Sequence, residues 1–312
     1  MTLQTGRVVS VNISTEKGTA KSPVASIAIG PKGIDGDAHA GLWHRQLSLL
    51  ARESIDRFGE EAGNAFNNGD FAENITTEGI DLSSVAVLDR FASGEVELEV
   101  TQFGKRCHGD GCAIYRQVGR CVMPKEGIFC RVIKGGAIKA GDTLSLIHRP
   151  LRVLVITLSD RASRGDYQDR SGPKVVEILE GFFQDKRQRL ETETLLLEDD
   201  PDGLRAALVE ARDAGVDAVF TTGGTGIGPR DITPDVVIEL AGKLIPGVME
   251  AIRVRYGADK PNALLSRSVA AIMGRTLVYT LPGSVRAVDE YMAEILKTFE
   301  HAFLMLHAID AH

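Results

Sequence analysis

Nowhere in the 312 residues does an apolar run approach the roughly 20 residues needed to cross a bilayer. The opening MTLQTGRVVSVN also lacks the basic-then-apolar layout of a secretory signal, so a cytoplasmic location and no membrane partner are expected. An excess of base is missing too: 36 Lys and Arg face 43 Asp and Glu, a net charge of −7. Residues 1–150 carry 17 basic and 18 acidic side chains and the remainder 19 and 25, which argues against nucleic acid as a partner of either half. Cysteine is confined to Cys107, Cys112, Cys121 and Cys130. Four thiols in one short segment of so long a chain are not a disulfide framework; they point to chemistry or metal in a reducing compartment. No internal repeat is evident, and the length suffices for two cores.

The strongest local signal is D-A-V-F-T-T-G-G-T-G-I-G-P-R-D-I-T-P-D-V-V, from Asp217 to Val237. Asp217 to Thr221 read as a buried strand, and Gly223, Gly224, Gly226 and Gly228 let the backbone turn tightly enough for its N–H groups to face an anion. Thr233 is the expected N-cap, Pro234 the first helical residue, and Val236, Val237, Ile238 and Leu240 the apolar side of a helix. A helix N-terminus so placed attracts phosphate. Two familiar nucleotide loops are excluded: the dinucleotide pattern needs glycine where Pro229 stands, and the P-loop needs Lys followed by Ser or Thr.

Rhythm changes near His148-Arg149-Pro150, which divides the chain into domains 1–148 and 151–312. Before the break, G-R-V-V-S-V-N-I-S, S-I-A-I-G, Q-L-S-L-L, E-V-E-L-E-V-T and F-C-R-V-I-K are strand-like and separated by glycine turns. With only Arg52 to Gly63 and a short piece near Gly119 reading as helix, sheet must close on sheet, so a β-barrel is expected. After the break, strands at 151–157, 191–197 and 218–221 alternate with helices at 171–183, 202–214 and 234–244. That grammar predicts a three-layer α/β domain with a mainly parallel sheet. A strand at 276–281 then leads into a long helix whose Val288, Met292, Ile295, Phe299, Phe303 and Leu306 form a core stripe.

In such a sheet, ligands gather outside the carboxyl ends of the strands. The segments there are S-D-R-A-S-R-G-D-Y-Q-D-R-S-G, E-D-D-P-D, the glycine loop ending in Arg230 and Asp231, and L-P-G-S. Together with L-S-R at Leu265 to Arg267, they resemble the molybdopterin adenylyltransferase (MogA-like) family over nearly all of residues 151–312. The resemblance implies adenylyl transfer from ATP to molybdopterin with magnesium, and a homotrimer built through this domain. It implies two essential acids, Asp231 and Asp199, with Asp200 as the fallback for the second. Asp231 would be a magnesium ligand or an acceptor for donor groups of the pterin, since an acid does not bind phosphate. The implied substrate and nucleotide contacts are Ser159, Asp160, Arg161, Thr222, Gly223, Gly224, Thr225, Gly226, Arg230, Ser266, Arg267, Pro282, Gly283 and Ser284. Several have a plain alternative: Asp160 and Arg161 as an ion pair, Ser266 and Ser284 as backbone caps, Thr222 and Thr225 as loop supports. The MoaB relatives share the fold and much of the loop with differing catalytic standing, so a non-catalytic pterin or cofactor carrier is the rival reading.

In the first half, G-I-D-G-D-A-H-A-G-L-W-H-R, G-D-F-A-E-N-I-T, L-E-V-T-Q-F-G-K-R-C and K-G-G-A-I-K-A-G-D resemble the MOSC domain. This implies binding of the molybdenum cofactor, or a sulfurated or metal form of it, through a cysteine that maps to Cys107. A thiolate there is a soft ligand suited to molybdenum, and Lys105 and Arg106 beside it would favour the thiolate. Cys107, His108, Cys112 and Cys121 could instead hold a zinc-like or iron–sulfur-like centre. His39, His44 and Arg45 face the cofactor's phosphate in one reading and pack on Trp43 in the other. The expected partners are molybdopterin, ATP and other molybdenum-cofactor biosynthesis proteins.

Overall fold

The computed structural model describes residues 3–104 and 121–309. Two compact units, Met1–Arg149 and Pro150–His312, account for the chain.

The first unit carries strands β1 (Leu3–Ile13), β2 (Ser22–Val24), β3 (Ser26–Gly30), β4 (Gly33–Ile34) and β5 (Leu47–Ala51), then helix α1 (Arg52–Ala62). There follow β6 (Ile75–Glu78), β7 (Arg90–Ser93), β8 (Val96–Phe103), the short helix α2 (Met123–Glu126), β9 (Ile128–Lys134), β10 (Gly136–Lys139) and β11 (Thr143–Ile147). The main sheet runs β11-β7-β8-β9-β5-β6-β1, and β1 pairs again with β11, so seven strands close into the expected barrel. Val8, Val11, Leu47, Leu49, Phe91, Leu98, Val100, Leu144 and Leu146 fill it. Strand β5 is buried at every position rather than at alternate ones. The cause is a second apolar cluster, in which Leu50 packs with Ile55 of α1 and with Phe58, Phe66 and Phe71, whose ring centroids lie 4.9–5.5 Å apart. Cys130 is buried in β9 as a core residue, and burial pushes its thiol well up.

The barrel also buries an ion pair. Lys21 Nζ bonds Asp37 Oδ2, with side-chain exposures of 1% and 0%. The same carboxylate accepts from the backbone N–H of His39 (2.9 Å) and of Ser14 (3.2 Å) and from Asn74 Nδ2 (3.1 Å). It thereby ties the end of β1, the turn after β4 and the approach to β6.

The second unit comprises β12 (Leu151–Leu158), α3 (Asp160–Ser163), α4 (Ser171–Phe183), β13 (Leu190–Leu197), α5 (Pro201–Asp213), β14 (Ala218–Thr222), α6 (Thr233–Leu240), β15 (Lys243–Leu244), α7 (Pro246–Gly257), β16 (Ala270–Met273), β17 (Thr276–Leu281) and α8 (Val285–Leu306). Its sheet runs β13-β12-β14-β17-β16-β15. The first four strands are parallel; β16 and β15 are antiparallel. Strand residues alternate between two helix layers. Val219 and Val278 pack with Leu204 and Leu208 of α5 and Val236 and Val237 of α6. On the opposite face Phe220 and Tyr279 stack at 5.3 Å, and both meet Phe299 of α8. Val288, Met292, Ile295, Phe299 and Phe303 form the expected stripe, while Leu306 is only half-buried.

Three local expectations need correction. The helix after the glycine loop stops at Leu240, because the chain then turns at Gly242 into β15 and enters α7, which the sequence reading omitted. Thr233 is the first helical residue rather than the N-cap, so Pro234 takes the second position. Ile238 is 46% exposed and leaves the apolar side to Val236, Val237 and the partly buried Leu240. No described helix is long and apolar enough to cross a membrane.

Burial pushes the Asp37 carboxyl up, but hydrogen bonds from His39 and Lys21 overcome it and hold the group far below the usual carboxylate range. Its contribution to stability is complete above the unfolded value near ~3.9 and is lost as the pH falls from there toward the lower folded value. We predict that Asp37→Asn removes the carboxylate that faces the buried Lys21 and destabilises the barrel by about 3–5 kcal/mol at neutral pH. The variant should also lose much of the acid dependence below about pH 4. Urea unfolding followed by fluorescence of Trp43, the chain's one tryptophan, measures both.

Candidate functional site

The parallel register decides where the polar loops leave the sheet. Leu158 lies opposite Leu197, Thr157 opposite Thr222, and Thr222 opposite Leu281, so β12, β13, β14 and β17 end at one level. Residues 159–170, 198–200, 223–232 and 282–284 therefore emerge from one edge, and α3, α4, α5, α6 and α8 begin there. These helix N-termini at one edge supply partial positive charge.

The glycine loop is pinned from three sides. Gly223 N–H donates to Leu281 O (3.0 Å), Thr233 Oγ1 donates to Gly223 O (3.0 Å), and Thr233 N–H donates to Gly224 O (3.1 Å). Gly223 and Gly224 hold φ of +99° and +60°, and a Cβ on them would lie 2.3 Å from Leu158 O and 2.5 Å from Thr233 Oγ1. Only glycine fits both positions. Gly226 serves differently: its space is closed by the Asp231 carboxylate, 2.7 Å from where a Cβ would stand. Asp231 Oδ2 accepts from Gly228 N–H at 2.8 Å, so the loop holds this acid against its own glycines.

Asp199 and Asp160 grip each other through reciprocal bonds: Asp199 N–H to Asp160 Oδ1 at 2.9 Å, and Asp160 N–H to Asp199 Oδ2 at 3.3 Å. Partial burial, and then the charge of Asp231, raise the Asp199 carboxyl above the ordinary value. Asp200 is occupied elsewhere, capping α5 through Gly203 N–H at 2.7 Å. Asp160 pairs with Arg230 instead of Arg161, whose guanidinium lies 5.0 Å from the Tyr167 ring centroid.

The remaining expected contacts fall into two groups. Ser159 caps α3 and Ser284 caps α8. Ser266 accepts from Tyr291 Oη at 2.9 Å and donates to Ser268 Oγ at 3.0 Å. Thr222 is buried with Ser171 Oγ at 2.9 Å. Arg267 clamps the glycine loop: Nε donates to Gly226 O (2.8 Å), Nη2 to Asp231 O, both Nη atoms to Asp235, and its N–H to Thr225 O (2.8 Å). Gly283, Ser171, Tyr167, Gln168, Arg170 and Val285 line an open cavity of about 280 Å³ at the same edge, next to the half-buried Pro282. Asp169, absent from the expected contacts, accepts from Thr157 Oγ1 (2.7 Å), Ser171 N–H (2.9 Å) and Ser171 Oγ (2.9 Å). Its place in the Y-Q-D of the first loop was the available signal.

In the barrel, His39 lies against the buried pair, its Nδ1 3.3 Å from Asp37 Oδ1 and 3.4 Å from Lys21 Nζ, with its ring 27% exposed. Trp43 Nε1 donates to His39 O at 2.8 Å, and the Arg45 guanidinium lies 4.9 Å from the Trp43 ring centroid. The backbone carbonyl of His44 accepts from Thr101 Oγ1. Cys107, His108 and Cys112 lie outside the described residues, while Cys121 is half-buried. Asp37 stands within G-D-A-H and Lys21 within a polar tract without a motif, so only the fold brings them together.

An oxygen-only pair such as Asp199 and Asp231 suits a hard cation, and magnesium is usually held by one or two carboxylates plus phosphates. Among the described residues no three His, Cys, Asp or Glu side chains group closely enough to hold a metal alone. The donor set therefore fits an ion that arrives with a polyphosphate better than one caged by protein.

Residues 154–301 match the family described as "Probable molybdopterin binding domain", and residues 35–145 match the MOSC domain. The "Molybdenum cofactor biosynthesis bifunctional protein" of Synechococcus elongatus is 34% identical over 156 residues, covering 50% of this chain and 47% of that protein. "Gephyrin" of Dictyostelium discoideum is 32% identical over 160 residues, 49% of this chain and 22% of that one. The "Molybdopterin adenylyltransferase" of Helicobacter pylori strain J99 is 34% identical over 146 residues, 46% of this chain and 81% of that relative. The chain thus spans under half of the first two relatives and most of the third.

The pinned turn generates a prediction with two arms. Gly223→Ala should destabilise the α/β unit by about 1–3 kcal/mol, the order of cost of a strained backbone position. Gly226→Ala should leave stability nearly unchanged and displace Asp231. Calorimetric unfolding distinguishes the two, with Trp43 fluorescence showing an unaltered barrel in both.

Proposed function

The chain belongs, through its C-terminal half, to the molybdopterin adenylyltransferase family, and from that premise we propose that residues 151–312 transfer the adenylyl group of ATP to molybdopterin. In this reaction a phosphate oxygen of molybdopterin attacks the α-phosphorus of ATP, the bond to the β-phosphate breaks, and pyrophosphate leaves. Two polyanions must be brought together, so their repulsion has to be offset and the attacking oxygen held in line. The Gly223–Gly224 turn, packed against Leu158 O and Thr233 Oγ1 with Gly223 N–H bonded to Leu281 O, sets the course of the loop that would meet phosphate. Gly283, whose Cβ would meet Gly223 Cα at 3.4 Å, lines the 280 Å³ cavity beside that turn. The helix N-termini at the edge add partial positive charge. Magnesium, when bound by Asp231 and Asp199, would supply the charge that neutralises the phosphates. Arg267 acts on the loop rather than on ligand, and Asp169 fixes the start of α4 beside Thr222.

The observation that carries this reading is the pairing, at one strand edge, of a glycine turn that only glycine can form with two carboxylates, one of them raised by burial and by the other's charge. Asp199 is favoured over Asp200 because Asp200 caps α5. We assign the barrel, residues 1–148, to binding the molybdenum cofactor or a sulfurated form of it near His39, His44 and Arg45, with Cys107 as the molybdenum ligand. A cytoplasmic homotrimer that works with other molybdenum-cofactor biosynthesis proteins fits this reading.

Incubation with ATP, magnesium and molybdopterin should release pyrophosphate, and Asp231→Asn should lower the rate roughly 100-fold or more, as expected for a group that stabilises transition-state charge. Asp199→Asn should act alike, whereas Asp200→Ala should chiefly lower stability, by about 1 kcal/mol for the lost cap. Tight molybdopterin binding without pyrophosphate release would instead support the carrier.

A further inference from the structure

Arg230 differs from Arg267 and Arg161 at the strand edge. The Arg267 guanidinium is locked onto Gly226 O, Asp231 O and Asp235, and that of Arg161 lies over Tyr167. Arg230 keeps 65% of its side chain exposed, yet its guanidinium pairs with Asp160 and comes within 3.9 Å of Asp199. Those two acids are fastened to each other through their backbones, so they cannot separate to relieve their repulsion. A cation beside them offsets it. An exposed arginine on a flexible arm does this reversibly, because an exposed ion pair is worth little. The same carboxylate oxygens cannot face a guanidinium and a metal ion at once. Arg230 also immediately precedes Asp231, so any shift of its side chain takes place beside the second acid.

We propose that Arg230 is a stand-in counter-ion: it neutralises Asp160 and Asp199 until a divalent cation takes over Asp199, then carries its charge to the phosphates that accompany that cation. The proposal rests on the magnesium-dependent reading above. It gives Arg230 two opposite effects, opposing metal alone and favouring metal with nucleotide. A merely structural pair would not produce that split.

The test is Mn²⁺ binding to the full chain, followed by electron paramagnetic resonance, alone and with a non-hydrolysable ATP analogue. Wild type, Arg230→Gln, Arg230→Lys and Asp231→Asn are compared. Arg230→Gln should bind Mn²⁺ alone roughly fivefold more tightly and the Mn²⁺–analogue complex roughly fivefold more weakly. Arg230→Lys, which keeps the charge, should stay close to wild type in both. Unchanged or weaker Mn²⁺ binding by Arg230→Gln, no Mn²⁺ binding by that variant, or a shift of both affinities in one direction overturns the proposal. Equal Mn²⁺ binding by Asp231→Asn and wild type would count against Asp231 as a metal ligand, a failure of the parent reading that is separate from the Arg230 comparison.

Discussion

The turn at Gly223 and Gly224 is the constraint on which the candidate site depends. Its two positive φ values would be strained for any other residue, and it persists because Leu281 O, Thr233 and Arg267 hold it from separate directions. Leu281 ends β17 and Thr233 starts α6, while Arg267 reaches the loop from the segment before β16, so the turn requires the parallel register that ends four strands at one level. Through Gly226 and Gly228 the same loop fixes Asp231. A pinned glycine turn and an acid suited to a cation thus stand a few residues apart on one element. Rigidity of this kind is what in-line transfer between two charged groups requires.

Much of this was legible in the residues, for physical reasons. Helix 171–183 and strand 276–281 follow from apolar periodicity and clear breakers, and both match the structure end to end. The barrel followed from many short strands with few helices, since an open sheet would leave apolar faces in water. The stop at Leu240 was signalled only by Gly242, and there the chain turns into β15, which pairs with β16. Thr233 carried an N-cap signature, but tertiary bonding to Gly223 and Gly224 draws it into the helix. The split between Asp199 and Asp200 lay beyond sequence, since neighbouring acids look alike until one caps a helix and the other meets Asp160.

The barrel follows a different logic. Its polar centre is a buried Lys21–Asp37 pair with Asn74 and two backbone donors around one carboxylate, and His39 rests against it. Burying such a pair is costly, and it is tolerated when every lone pair is satisfied. Here the arrangement locks three loops and fixes the approach of His39 toward the surface. In the α/β unit, Asp169 holds the buried Ser171 and Arg267 holds the backbone of the glycine loop.

The central claim is that phosphate and metal meet the same strand edge at different residues. A crystal structure of the chain with AMP and Mn²⁺, with the metal located by anomalous scattering, tests it most directly. The account predicts phosphate over the glycine loop and Gly283 and the Mn²⁺ peak at Asp199 and Asp231. A nucleotide bound away from that edge, or a metal peak remote from both acids, would contradict it.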